Sequence, residues 1–201
     1  MSAGLKTFSL TEYEANIGGE GLNEFLDSFS CPINPEVEHF LKHKAVLSAK
    51  LSSSQTYLVC SDTTGELLGY YTLVLKSYSV NGAKLSSANR RLVSRFAEAD
   101  DAGNFNAAVY LIAQIGKNFA VAEKDRVAGG DLIANALDEF RAIKKRVGGK
   151  LVMIERESDR PKLLAFYTNN GFKSWTSRFN AKDGVTYDQM FTVLNDKKET
   201  A

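Results

Sequence analysis

The stretch 151–172 reads LVMIERESDRPKLLAFYTNNGF and predicts a strand, a loop and a helix in that order. Its first residues, Leu151 to Glu155, form a short apolar run that is typical of a buried strand. Pro161 suits the first turn of a helix, and Gly171 is typical of the end of one. The helix is therefore expected to carry Phe166 and Tyr167, and an acidic loop precedes it.

A longer helix comes just before this stretch. Gly148 and Gly149 end it, directly after the basic residues 144–146. Its apolar face repeats at helical spacing and consists of Leu132, Ile133, Ala136, Leu137, Phe140, Ile143 and Val147. The continuously apolar run 107–115 lies upstream and predicts a central strand buried on both faces. Strands that alternate with crossover helices predict an α/β fold, a mixed sheet flanked by helices on both faces, within a single domain.

Two helices are expected near the N-terminus. Asn34 and Pro35 predict the start of one that runs to about Lys50. A shorter helix is expected after Gly18 and Gly19, ending near Ser30, because apolar residues recur there at helical spacing.

Two antiparallel strand pairs are also expected. The first joins 56–60 to 67–75 through the turn-forming residues 62–65. The second joins 172–179 to 187–194 and closes the chain. The polar segment 81–106 between them is predicted to be an insertion on the acceptor side of the fold.

Composition narrows the classes of function. The chain has 201 residues, of which 44% are hydrophobic, so one well-filled core is expected. Lys and Arg together number 25 against 24 for Asp and Glu, which gives a formal net charge of +1. No global field therefore attracts nucleic acid or anionic lipid, and any contact with a polyanion must be local.

Membrane insertion and metal binding are not supported by the sequence. No uncharged apolar stretch approaches the ~18 to 20 residues that span a bilayer, so we expect a cytoplasmic protein. Cys31 and Cys60 are far apart and belong to no CxxC pair. His39 and His43 lie four residues apart but lack the glutamate of an HEXXH motif, and we expect no metal.

A glycine-containing turn connects the central strand to the long helix. Residues 124–133 read KDRVAGGDLI, so Gly129 and Gly130 open directly into the helix. Free backbone amides and the positive end of the helix dipole converge at such a turn, which is therefore suited to bind a diphosphate. The alternative is that the two glycines only turn the chain.

The stretch quoted first resembles the final motif of the GNAT acetyltransferases, which has a strand, an acidic loop, a short helix carrying Phe-Tyr, and Gly-Phe three residues later. The N-terminal region, with Phe29-Ser30-Cys31, Asn34 and Val37, is similar to the bacterial toxin-like branch of that family. The resemblance covers residues 9 to 180. It implies the GNAT fold and an acetyl-CoA-dependent N-acetyltransferase in which a primary amine attacks the thioester directly.

The family's pyrophosphate loop falls on this chain's glycine turn in either of two registers. The preferred register puts Lys124 at the family's Gln or Arg, Val127 at its first glycine and Gly129 at its last small residue. The other register puts Arg126 at the Gln or Arg and Asp131 at the last small position. Asp131 near phosphate would be repelled, whereas inside the first helical turn its carboxylate suits the dipole. The resemblance assigns cofactor contacts in this loop to Lys124, Arg126, Val127, Ala128, Gly129, Gly130 and Asp131.

Further roles follow from the same resemblance. The backbone of Ile115, Gly116 and Lys117 would pair with the pantetheine arm of acetyl-CoA. Tyr167 stands where the family's tyrosine protonates the departing thiolate. The alternative is that it only packs on the helix face beside Phe166. Arg160 replaces a frequent Asn and could reach a phosphate of CoA or remain solvated. No base for the acceptor amine is identified among Glu155, Glu157, Asp159 and Asn118.

Acetyl-CoA and an amine acceptor are the partners that this implies. The acceptor amine could belong to a small molecule, a protein or a charged tRNA, and the toxin-like resemblance motivates the last. A basic patch for tRNA could come from Arg90, Arg91, Lys144, Lys145 and Arg146. Homodimerisation is common in the family. The competing interpretation is a catalytically weak acyl-CoA-binding or interaction module with the same fold.

Overall fold

The computed structural model describes residues 4–196, whose strands belong to one seven-stranded sheet. The strands are β1 Leu5–Ser9, β2 Gln55–Ser61, β3 Leu67–Asn81, β4 Asn104–Lys117, β5 Leu151–Glu157, β6 Lys173–Asn180 and β7 Val185–Val193. Their order across the sheet is β1-β2-β3-β4-β5-β7-β6. The helices are α1 Leu10–Asp27, α2 Pro35–His43, α3 Ala45–Lys50, α4 Ser87–Val93, α5 Gly129–Val147 and α6 Pro161–Asn169. The predicted mixed α/β architecture is confirmed.

The chain divides into two compact units. The first comprises the residues up to Val74 together with Ile112–Ala136, and the second comprises Leu75–Leu111 together with the residues from Leu137 onward. The core of the first unit packs residues of α1, α2 and α3 against β2 and β3, and includes Leu22, Leu26, Phe29, Leu41, Leu58 and Tyr70. The core of the second unit includes Val80, Val93, Phe105, Val109, Leu151, Met153, Trp175 and Phe191.

The N-terminal region differs from the prediction in three ways. The sequence did not predict β1, which pairs antiparallel with β2. Helix α1 begins at Leu10, where Ser9 and Glu12 form a capping box, and it kinks at Gly18, whose φ is 75°. The helix predicted from Asn34 to Lys50 is instead two helices, α2 and α3, because the backbone leaves the helical region at Lys44.

Strand β4 occupies the fourth of seven places in the sheet, which confirms the predicted central strand. The expectation that it is buried on both faces is wrong for part of its length. Ala108 and Ala113 are exposed, whereas Val109, Tyr110 and Ile112 are buried. Alanine contributes to a continuous apolar run in the sequence but gives no evidence of which face is covered.

The long helix and its two ends agree with the prediction. Helix α5 starts at Gly129 and ends at Val147, and Gly148 follows with a φ of 76°. That left-handed conformation favours glycine and lets the Gly148 amide donate to the Lys144 carbonyl at 2.9 Å. No helix within residues 4–196 has both the length and the apolar character that crossing a bilayer requires.

The two closing strands form the predicted antiparallel pair, but their place in the sheet was not predicted. Strand β7 lies between β5 and β6 and pairs antiparallel with both. This register brings Glu155 opposite Gln189 and Arg156 opposite Asp188. In the segment 81–106 the structure contains the short helix α4, and the acceptor-side role predicted for this segment stays a prediction.

Candidate functional site

The glycine turn opens into α5 as predicted. A single 3-10 turn at Glu123–Asp125 is followed by three non-helical residues, and the helix starts at Gly129. The Asp131 amide donates to the Ala128 carbonyl at 3.0 Å. The first amides of a helix have no partner within it, so those of Gly129 and Gly130 are directed at whatever lies ahead of α5. Asp131 is exposed and lies in the first turn, where its carboxylate suits the dipole.

Arg126 braces this loop from inside. Its Nε donates to the Val121 carbonyl at 2.9 Å and its Nη2 to the Phe119 carbonyl at 3.0 Å. The guanidinium carbon also lies 5.0 Å from the centroid of the Phe119 ring. Val127 is buried, whereas Lys124 is exposed. The two basic residues that the alternative registers assign to phosphate therefore have different environments.

Asn118 holds the start of the same loop. Its side-chain oxygen accepts hydrogen bonds from the amides of Ser30, at 2.9 Å, and Ala120, at 3.0 Å. Its side-chain nitrogen donates to the carbonyls of Ser28, at 3.1 Å, and Leu67, at 2.8 Å. Both donors and both acceptor positions of this buried amide are satisfied, so Asn118 is a clamp and not a base. Sequence reasoning missed this role because the partners lie up to 90 positions away.

The last residues of β4, Ile115, Gly116 and Lys117, are half-buried. Gly116 lies in a close approach that leaves no room for a side chain. A Cβ at this position would lie 2.5 Å from Cγ1 of Val37 and 3.3 Å from Cζ of Phe29. Only backbone atoms at Gly116 can therefore serve a ligand.

Tyr167 lies in the second half of α6 and is 6% exposed. Its ring packs against Phe166, with centroids 5.2 Å apart, and against Phe172 at 6.1 Å. Burial raises the pKa of Tyr167 to about 12, and the positive charge of Arg156 acts in the opposite direction. The phenol is thus protonated at neutral pH.

Glu155 is engaged with other side chains. Arg178 donates to it from Nε at 2.9 Å and from Nη2 at 2.8 Å, and Gln189 donates from Nε2 at 2.7 Å. Burial acts to raise the pKa of Glu155, but these hydrogen bonds outweigh it and hold the pKa below its ordinary value. A carboxylate stabilised in this way is a poor proton acceptor.

The other carboxylates at the end of β5 offer no better base. Glu157 forms an ion pair with Arg160, the residue immediately before α6. This pairing neutralises part of the charge that would draw Arg160 to a phosphate. Asp159 is exposed.

The predicted basic patch is partly occupied by internal contacts. Lys144 pairs with Asp196 at 2.7 Å, and Arg90 donates to the Gly82 carbonyl from Nη2 at 2.7 Å. The exposed basic residues that remain in the patch are Arg91, Lys145 and Arg146.

Metal-binding residue types are scattered. His39 and His43 are both exposed on α2, with ring centroids 4.8 Å apart. Cys31 and Cys60 are buried, and burial raises the pKa of the Cys60 thiol to about 11. Within residues 4–196, no three side chains of the ligand types His, Cys, Asp and Glu come together.

Comparisons with known proteins give matches among solved structures. No family model matches this sequence, and no curated protein matches it. A bacterial toxin structure has a TM-score of 0.64 and 19% sequence identity, covering 96% of this chain and 92% of its own. AtaT complexed with acetyl-methionyl-tRNAfMet has a TM-score of 0.62 and 17% identity, covering 92% and 94%. AtaTR bound with AcCoA has a TM-score of 0.60 and 17% identity, covering 96% and 95%.

At these identities the likeness concerns the architecture, and it extends over nearly the whole of each chain. Strand β5, the loop after it and helix α6 also follow the order expected from residues 151–172. This chain therefore has the GNAT fold, in the form shared by these toxin structures.

Proposed function

We propose that this chain is an acetyl-CoA-dependent N-acetyltransferase that transfers an acetyl group to a primary amine. The observation that carries the proposal is the glycine turn ahead of α5, whose amides are directed away from the helix while Asn118 and Arg126 hold the loop at its two ends. A preorganised set of backbone donors suits a diphosphate because nothing has to reorder on binding. The structural neighbour AtaTR, which is bound with AcCoA, supports this choice of ligand.

In this proposal each part of the chain has one task. The amides of Gly129 and Gly130 hold the diphosphate, with Lys124 as the nearby cation and Arg126 as the brace. The backbone at Ile115, Gly116 and Lys117 pairs with the pantetheine arm, and Gly116 permits only backbone contacts.

Acetyl-CoA supplies an activated thioester, and the protein stabilises the negative charge that develops on the carbonyl oxygen and on the departing sulfur. A neutral amine attacks the carbonyl carbon, and a backbone amide of β4 stabilises the oxyanion. Tyr167 then gives its proton to the departing sulfur. A phenol whose pKa burial raises to about 12 remains protonated until a thiolate forms nearby. Because Glu155 and Glu157 are paired, water is proposed to carry the proton away from the amine.

The aminoacyl group of a charged tRNA is the acceptor to test first. The neighbouring AtaT structure contains acetyl-methionyl-tRNAfMet, the product of such a transfer. The formal net charge of +1 and the internal pairing of Lys144 and Arg90 argue for a small phosphate footprint. We therefore expect tRNA binding with a shallow salt dependence, which measurement of the dissociation constant at several salt concentrations would reveal.

Ligand-induced stabilisation tests the cofactor assignment. At about 100 times the dissociation constant, acetyl-CoA and CoA should each raise the free energy of unfolding by about 2.7 kcal/mol, while ATP and NAD should not. Absence of a shift with either CoA compound would refute the proposal.

Transfer of radiolabelled acetyl groups tests catalysis. The wild type should acetylate an aminoacyl-tRNA, a small amine or a peptide amine, and Tyr167→Phe should lower kcat by at least about tenfold with unchanged CoA affinity. Tyr187→Phe is a matched control, because it removes the hydroxyl of another tyrosine, one that donates to the exposed Asp183 at 3.0 Å. Binding of CoA without transfer to any amine would instead favour the non-catalytic acyl-CoA-binding module.

A further inference from the structure

Arg156 is a buried cation on β5 that the proposed reaction does not use. It is 5% exposed and forms an ion pair with Asp188 on β7. Asp188 in turn accepts hydrogen bonds from the hydroxyls of Ser158 and Ser177, each at 2.7 Å. The pair is therefore anchored to both strands that flank β7.

The same guanidinium holds the loop between β5 and α6. Its Nη1 donates to three backbone carbonyls, those of Glu157 at 2.9 Å, Ser158 at 3.3 Å and Arg160 at 3.2 Å. Helix α6 starts at the next residue, Pro161, and Tyr167 lies within two turns of that start. Arg156 thus fixes the backbone from which the helix carrying Tyr167 departs.

One part of this arrangement costs stability. The Nε of Arg156 is buried and has no hydrogen-bond partner among residues 4–196. A buried donor without a partner costs about 1–3 kcal/mol, and a well-packed apolar pair often serves stability better than a buried ion pair. A residue kept for stability alone would not need a charge at this position.

The positive charge of Arg156 also acts on the pKa of Tyr167. Burial raises the pKa of Tyr167, and the nearby positive charge of Arg156 opposes that rise by favouring the phenolate. Loss of a proton from Tyr167 is the step that the proposed mechanism requires.

We propose that Arg156 is a positioning residue for Tyr167, fixing the loop 157–160 and the start of α6. The inference rests on the proposed acetyltransferase function. Asp188 and Ser158 support Arg156, and they act on Tyr167 only through it.

The test compares Arg156→Lys with a matched control. Arg156→Lys keeps the positive charge but loses the planar guanidinium, which donates hydrogen bonds to three carbonyls and a carboxylate. Arg178→Gln is the control, because it breaks another arginine–carboxylate contact, that with Glu155, on the same three strands. Steady-state kinetics with labelled acetyl-CoA should give a kcat lowered by about tenfold for Arg156→Lys, with KM for acetyl-CoA unchanged within about twofold. Arg178→Gln should leave kcat within about twofold of the wild type.

Two further readouts separate positioning from mere structure. In a Tyr167→Phe background, Arg156→Lys should lower kcat by less than about twofold, because the group it positions is already absent. Amide hydrogen exchange should become faster in 157–160 and at the start of α6, and not in α5.

Several outcomes overturn the inference. An unchanged kcat in Arg156→Lys does so. An equal fold loss of kcat on adding Arg156→Lys to the wild type and to Tyr167→Phe also does so, as does a parallel loss of CoA affinity. If Arg156→Lys does not fold, Ser158→Ala decides, because it removes only one tether of the loop to Asp188. It should lower kcat by a smaller factor than the one expected of Arg156→Lys, with KM for acetyl-CoA unchanged, and an unchanged kcat would overturn the inference. Failure of the wild type to bind CoA or to transfer acetyl groups overturns the proposed function, and the inference with it.

Discussion

Lys124 and Arg126 lie two positions apart in the loop before α5, and their charged ends have different surroundings. The Arg126 guanidinium is turned inward, onto two carbonyls and the ring of Phe119. Lys124 is exposed. This difference favours the register in which Lys124 takes the place of the family's Gln or Arg and faces phosphate.

Substitution of both residues tests that register. Arg126→Ala should lower stability without ligand by about 1–3 kcal/mol, because two charge-assisted hydrogen bonds are lost. Lys124→Ala should leave the unliganded protein unchanged and weaken CoA binding in a salt-dependent way. Thermal unfolding and titration calorimetry measure the two effects. The second register is correct if Arg126→Ala loses CoA affinity while the unliganded protein keeps its melting temperature.

At the scale of elements, the end of β4 depends on one close approach. Gly116 lies against Val37 of α2, and the Gly116 carbonyl oxygen lies 2.8 Å from the position that a Cβ on Gly69 would occupy. The backbones of β3 and β4 therefore lie close together at this point, and the Val37 side chain packs against Gly116. The end of β4, proposed to pair with the pantetheine arm, can adopt this position only because Gly116 has no side chain.

Gly116→Ala should therefore harm both stability and binding. The added methyl would lie 2.5 Å from Cγ1 of Val37, and overpacking of this kind costs about 1–3 kcal/mol. Urea unfolding and CoA titration measure the two losses. Adding Val37→Ala removes the clashing carbon, so the double variant should recover affinity relative to Gly116→Ala alone. A double variant with no recovery would mean that the loss has another cause.

At the scale of the whole molecule, ionisation makes the free energy of unfolding depend on pH, with a plateau near neutral pH and a fall on both the acid and the alkaline side. For Asp188, burial acts to raise the pKa, but bonds from Ser158 and Ser177 and the charge of Arg156 hold it below its ordinary value. Glu155 behaves in the same way. A carboxyl with a lowered folded pKa contributes stability above its unfolded pKa and loses it as pH falls through the folded pKa.

Burial acts in the opposite sense on Cys60 and Tyr167, whose pKa values rise to about 11 and about 12. Groups with a raised folded pKa contribute stability below their unfolded pKa and lose it as pH rises through the folded one.

The free energy of unfolding should therefore be nearly constant from about pH 5 to about pH 8 and should fall below about pH 4 and above about pH 9. Urea unfolding as a function of pH measures the curve. Replacing Glu155 and Asp188 by Gln and Asn should make the acid limb shallower, because these groups no longer titrate. An acid limb of the same steepness in that variant would contradict the assignment.

Helices α5 and α6 could be predicted from the sequence because their signals are local. The helical spacing of the apolar face, the glycines at both ends of α5, and Pro161 and Gly171 around α6 all act within a few residues. The hairpin of β2 and β3 was predictable for the same reason, since its turn chemistry lies between the strands. The order of these elements was enough to predict the fold.

Other features depend on residues far apart in the sequence, and only the tertiary structure decided them. Strand β1 is defined by its pairing with β2, about 50 residues later, and its five residues are too short a run to predict a strand alone. The place of β7 between β5 and β6 follows from its antiparallel pairing with β5 and not from the turn that joins it to β6.

The same distinction holds within the candidate site. The sequence by itself determined the glycine turn, the start of α5 and the position of Tyr167 near the end of α6. The tertiary structure decided that Arg126 braces its own loop, that Asn118 is a clamp, that Glu155 is paired and that Arg156 holds the loop before α6. Local propensity specifies where an element begins and ends, whereas the partners of a polar side chain depend on which distant strands become neighbours.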